Sequence, residues 1–177
     1  LGQDMAELDV DHALTNEVPT PYTDWAQPYA QGKTRVLFFT NGRGTTPREC
    51  VELLQRFDID AEAVFWARIV DSTEEHWHGG SLGEERMLKL LEQPWDCYVF
   101  FDMPLTRLSA EQQVKVLKPV SAGAGLVIRG TSDERIFKDA NRLLALPPLL
   151  QRGPAGDAYT IGQGRGGVFP TPHQKTL

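Results

Sequence analysis

Four apolar runs of strand length divide the chain: residues 33–40 (KTRVLFFT), 61–70 (AEAVFWARIV), 97–101 (CYVFF) and 125–130 (GLVIRG). Their centres are continuously apolar and rich in β-branched and aromatic residues. Such runs suit strands buried on both faces, as in a parallel sheet. Between them the apolar period lengthens to that of a helix. Cys50, Val51, Leu54 and Phe57 share one helical face, and so do Met87, Leu88 and Leu91. Ala110, Val114 and Leu117 supply a third, more modest stripe. Each helix has a start signal. Thr46-Pro47-Arg48-Glu49, Ser81-Leu82-Gly83-Glu84 and Ser109-Ala110-Glu111-Gln112 all read as capping boxes, the first with proline at the first helical position. Pro94 ends the second helix, and Pro119 with the small residues 121–125 ends the third.

Strand, loop, capped helix, strand is the opening of a doubly wound α/β fold. Residues 95–130 alone make a right-handed βαβ unit, with Asp102, Met103 and Pro104 stopping its first strand. Beyond Gly130, Ile136, Phe137, Ala140, Leu143 and Leu144 predict a further helix, broken by Pro147 and Pro148, and residues 151–157 read as loop. Residues 158–161 and 167–169 predict a terminal hairpin across a glycine-rich turn. The expected architecture is therefore a three-layer α/β sandwich: a mostly parallel doubly wound sheet, helices on both faces, and a C-terminal hairpin. Residues 1–32 carry Pro19, Pro21 and Pro28 and no sustained period. They read as an extended arm with the aromatics Tyr22, Trp25 and Tyr29, packed on its own domain or docked on a neighbouring domain or subunit. The domain itself spans 33–170, and 171–177 is a tail.

Composition narrows the function classes. At 177 residues, one domain with a real core is expected. The formal net charge is −6 and Lys and Arg are scattered, so nucleic acid and anionic membrane surfaces are poor partners. No apolar run reaches the length that spans a bilayer. The chain begins Leu-Gly-Gln without Met, as a processed chain or a piece of a longer one would. A signal peptide ahead of Leu1 would make the protein periplasmic or extracellular; otherwise it is cytoplasmic. Cys50, on a helix, and Cys97, inside a strand, read as buried free thiols.

Candidate chemistry is sparse. The loop Gly42-Arg43-Gly44-Thr45-Thr46-Pro47 follows the first strand and opens a helix, where amides can hold an anion. Proline replaces the third glycine of a dinucleotide fingerprint, and the GK[ST] ending of a P-loop is missing. Asn41, Arg43, Thr45 and Thr46 remain as binders of an anion or polar ligand. Gly162–Gly167 also fits GxGxxG, but it precedes a strand and reads as a turn. His76 and His78, with Glu74 or Glu75 beside them, form a weak metal pair lacking a placed third ligand. In open α/β sheets, ligands bind beyond the carboxyl ends of the strands. Asn41, Arg43, Asp71, Asp102 and Arg129 stand there, and the ligand is a small molecule of unknown identity. No cofactor is indicated. No nucleophile elbow occurs; Thr131-Ser132-Asp133 stands where one is expected.

Four segments, RVLFFTNG, RECVELLQRFDID, WDCYVFFDMPLTRLSAEQQVKVLKPVSAGAGLVIRG and YTIGQGRGGVF, occur in an order that resembles the class I glutamine amidotransferase-like superfamily, in its ThuA-like and related non-amidotransferase branches. The resemblance covers roughly residues 33–170. It implies a flavodoxin-like sandwich, bacterial origin, a place in a larger exported protein and a carbohydrate-related context. True amidotransferases have an elbow cysteine and a downstream His-x-Glu. This chain has no matching cysteine, and His173-Gln174-Lys175 does not supply the pair, so no catalytic residue carries over. The expected function is a non-catalytic ligand-binding or structural domain. The alternatives are a degenerate hydrolase acting on a sugar or acyl compound, and a flavodoxin-like nucleotide or flavin binder.

Overall fold

The apolar runs form the centre of one sheet. In the computed structural model, which describes residues 4–12, 33–42, 46–68, 74–130, 149–153, 156–161 and 164–169, the chain runs α1 (Met5–His12), β1 (Thr34–Asn41), α2 (Thr46–Arg56), β2 (Ile59–Arg68), β3 (Glu75–Trp77), α3 (Ser81–Leu91) and β4 (Cys97–Phe101). A 3-10 turn (Leu105–Arg107), α4 (Ala110–Ser121), β5 (Gly125–Arg129), β6 (Leu149–Gly153), β7 (Gly156–Ile161) and β8 (Gly164–Phe169) follow. The strand order is β3-β2-β1-β4-β5-β8-β7-β6. β2, β1, β4, β5 and β8 are parallel neighbours in turn. β3 pairs antiparallel with β2, and β7 pairs antiparallel with both β6 and β8. The fold is α/β with a mostly parallel central sheet.

The continuous apolar runs are explained by where successive side chains go. Along β1 and β4, Leu37, Phe39, Tyr98 and Phe100 join a core cluster with Met87, Leu90 and Leu91 of α3 and Val116, Leu117 and Val120 of α4. Val36, Phe38, Val99 and Phe101 join a separate cluster with Cys50 and Leu53 of α2. Side chains alternate between faces along a strand, so both faces must be apolar. The Phe39 and Phe100 rings stack with centroids 4.5 Å apart, and Phe38 meets Phe101 at 5.8 Å in the other cluster. Each fully buried ring contributes about 1.5–3 kcal/mol by leaving water.

Several local expectations change. Within the stretch read as an extended arm, Met5–His12 is a helix; Glu7 N donates to Asp4 Oδ1 and Asp4 N to Glu7 Oε2 at its start. The stretch read as a polar loop contains β3, whose Trp77 is buried. β2 begins two residues earlier than its apolar run, and β6 takes residues 151–153 out of the expected loop. The Ser109 box forms: Gln112 N donates to Ser109 Oγ (3.2 Å) and Ser109 N to Gln112 Oε1 (2.9 Å). The Ser81 box does not. Gly79 and Gly80 both have positive φ (85° and 63°) and turn the chain so sharply that Gly80 becomes the cap, with Ser81 already inside α3. Pro119 does not end α4, which continues to Ser121; so near the end, the bond it cannot donate costs little. The expected helix over 136–144, the rest of the arm and the tail lie outside the described residues. Among the described residues, no helix is long and apolar enough to cross a membrane.

Candidate functional site

From β1 the chain moves outward to β2, then returns past β1 to β4. The order therefore reverses between β1 and β4, where the carboxyl ends of the strands leave a crevice. Asn41 closes β1, Asp102 follows β4, and Arg129 closes β5. Arg43, Thr45, Thr46's side chain, Asp71 and the 131–133 turn lie outside the described residues.

Two of the expected residues come together here. Asp102 takes the left-handed conformation (φ 52°), which aspartate tolerates better than most residues. Its backbone N donates to Arg129 O at 3.0 Å. Arg129 Nη2 donates to Asp102 Oδ2 at 3.2 Å, and its Nη1 donates to Glu49 Oε1 at 3.0 Å. The guanidinium lies 5.0 Å from the Phe101 ring centroid, and its Nε is buried without a hydrogen bond. Gly130 (φ 88°) follows at once; a Cβ there would stand 1.9 Å from Asp102 Oδ1. Glu49 reads from sequence as a capping residue of α2. In the fold its carboxylate pairs with Arg129, eighty residues on. The cluster ties the start of α2 to the ends of β4 and β5. Its cation is already matched by two carboxylates, and none of the three residues is a ready nucleophile.

A second constellation stands at the same edge, on the α3–α4 side. A cleft of about 680 Å³ opens between β2, β3 and the N-terminal turns of α3 and α4. Trp66, Glu75, His76, Trp77, Arg107 and Gln112 are among its walls. Trp66 meets Trp77 edge-to-face, with centroids 4.9 Å apart at 85°. The Glu75 carboxylate accepts from Trp66 Nε1 at 3.3 Å and pairs with Arg107 at 2.5 Å. The Arg107 guanidinium lies 5.8 Å from the Trp66 ring centroid. Thr106, Ser109 and Glu84 add hydroxyl and carboxylate groups.

The histidine pair divides. His76 lines the cleft, with Nδ1 buried and unbonded, whereas His78 is exposed and its backbone N donates to Phe65 O at 2.9 Å. Among the described residues, no group of three or more His, Cys, Asp or Glu could hold a metal ion. Cys50 and Cys97 are free. Burial, then the nearby Glu49 charge, pushes the Cys50 thiol up to about 12. Burial, then Asp96, pushes Cys97 up to about 11. Both are protonated at neutral pH and pack as small apolar groups.

The sequence singles out none of Trp66, Trp77 and Arg107 as site residues, and Glu75 only as a neighbour of the weak histidine pair. The available signal was two tryptophans flanking a charged loop after a strand. Compared with known proteins, the chain matches no family model, no curated protein and no solved structure.

Proposed function

We propose that this chain is a non-catalytic ligand-binding domain whose site is the cleft at the carboxyl edge, and that its ligand is a neutral polyhydroxylated molecule of the sugar type. The observation that carries this reading is the pairing inside the cleft: Glu75 and Arg107 already neutralise each other beside the Trp66 indole. An ionic ligand would find its main counter-charge engaged. A sugar ring would lay its apolar face on an indole and offer hydroxyls to Thr106, Glu84 and Gln112. The cleft has the volume of a small-molecule site.

The reading places the chain in the class I glutamine amidotransferase-like superfamily, as a three-layer sandwich ending in a β7–β8 hairpin, within a larger exported bacterial protein. Support comes from the parallel order β2-β1-β4-β5, from α2 packing in one core cluster with α3 and α4 in the other, and from the reversal between β1 and β4. The two raised thiols argue against cysteine chemistry. The N-terminal arm offers the contact for a neighbouring domain or subunit.

The test is calorimetric titration of the protein with a panel of neutral mono- and disaccharides. Saturable binding by at least one, lost in Trp66→Ala, is the expected result. Binding by none, or turnover of the bound sugar, would overturn the reading.

A further inference from the structure

Among the described residues, the outer edge of β2 is incompletely covered by sheet. β1 pairs along Ile59–Trp66 on one side, but β3 pairs only with Trp66–Arg68 on the other. Carbonyl directions follow the strand period. Trp66 O accepts from Gly42 N on the β1 side, so Phe65 O and Ala63 O face outward. Phe65 O is taken by His78 N. Ala63 O is taken by a side chain: Arg86 of α3, only 4% exposed, donates from Nη1 at 2.6 Å. The same guanidinium donates from Nη2 to Glu62 at 2.7 Å and from Nε to Asp9 of α1 at 2.6 Å. Arg86 thus stands in for a missing strand, and α1 supplies one of its counter-charges.

The second anchor of α1 is Leu8, which is fully buried. It occupies the space over Gly79, where a Cβ would stand 2.6 Å from Leu8 Cδ1. Gly79 leads directly into Gly80 and Ser81, which wall the cleft. The turn has no slack on its other side. A Cβ on Gly83 would meet His78 O at 2.0 Å. Leu8 and Asp9 therefore press on the two ends of one short unit: the β3–α3 turn and the second turn of α3.

From this we infer that α1 is a brace that orders the α3 wall of the cleft, so that docking of the N-terminal helix regulates the ligand site. The inference rests on the ligand reading above for its consequence, while the brace itself is a property of the apo chain. Lifting α1 would free Gly79–Ser81 and remove one carboxylate from Arg86. By linkage, a ligand held against that wall would in turn tighten α1. A neighbouring domain that captured the arm would then weaken binding without touching the cleft.

Hydrogen exchange of the full chain tests this directly. In Leu8→Asp, the amides of residues 79–84 should exchange at least about fivefold faster, a typical coupling, while those of α4 keep their protection. Should that variant fail to fold, Asp9→Asn preserves side-chain volume while removing the carboxylate charge that faces Arg86, and a smaller change confined to the same amides is expected. Unchanged exchange at 79–84 in a folded variant whose α1 has lost protection would overturn the inference, as would loss spread evenly over α3 and α4. Failure of every sugar in the panel leaves this exchange difference intact and counts against the ligand reading alone.

Discussion

The carboxyl edge of this sheet carries two charged constellations built from similar parts, and they have opposite characters. On the α2 side, Arg129 binds Glu49 and Asp102 and lies against Phe101, with its side chain 20% exposed. On the α3–α4 side, Arg107 binds Glu75 and lies near Trp66, with its side chain 46% exposed. Each joins an arginine and an aromatic ring to carboxylates, two around Arg129 and one at Arg107. The first closes over three elements, with Arg129 held between Glu49 of α2 and Asp102 after β4. The second borders an open cleft. The difference lies in what the neighbouring turns do. Asp102 and Gly130, both at positive φ, hold the ends of β4 and β5 against each other. Gly79 and Gly80 instead swing the chain away into α3 and leave space. A charge cluster at a strand end is thus either a tie or a site, and loop geometry decides which.

Arg129→Ala should separate the two roles most sharply. It leaves Glu49 and Asp102 close together and partly buried without their cation, at a cost of roughly 2–3 kcal/mol, discounted from the fully buried case for their exposure. Urea denaturation should register that loss while sugar binding persists in the folded fraction. Trp66→Ala should do the reverse: binding lost, and roughly 1–2 kcal/mol of stability lost because the indole is only partly buried. If the two variants affect stability and binding alike, the comparison fails.

The thiols give a pH test on the tie side, where Cys50 sits beside Glu49. Burial holds both folded-state thiols above the ordinary thiol value, Cys50 up to about 12 and Cys97 up to about 11. Unfolded thiols therefore ionise first. The stabilisation is complete below pH about 9 and is lost as pH rises toward the folded values. The urea midpoint should fall between pH 9 and 11, and Cys50→Ala should flatten that slope. A midpoint independent of pH in that window would contradict the burial described. Smallest of all, Ser109→Ala removes one capping bond beside the cleft and should cost about 1 kcal/mol. Thermal melting checks it.

Legibility in the sequence followed the range of the interaction. The centres of β1, β4 and β5 could be read because burial on both faces demands uninterrupted apolar runs. The Ser109 box could be read because it closes within four residues. The Ser81 box has the same spelling, but Gly79 and Gly80 moved the helix start, and spelling does not report φ. Asp102 and Arg129 were found as strand-end polarity; that Glu49 binds Arg129 became visible only when α2 was laid against β5. Arg86 looks like an ordinary solvated helix cation, because nothing local reveals the unpaired edge of β2. Trp66 and Trp77 sit eleven positions apart and become neighbours only when β3 pairs back on β2.

The central claim is that the open cleft, and not the Arg129 tie, is where a ligand binds. Calorimetric titration of wild type, Trp66→Ala and Arg129→Lys with the same neutral sugars tests it most directly. The expected result is saturable binding in wild type and in Arg129→Lys, and none in Trp66→Ala. Binding that survives loss of Trp66 but disappears with Arg129→Lys would contradict it.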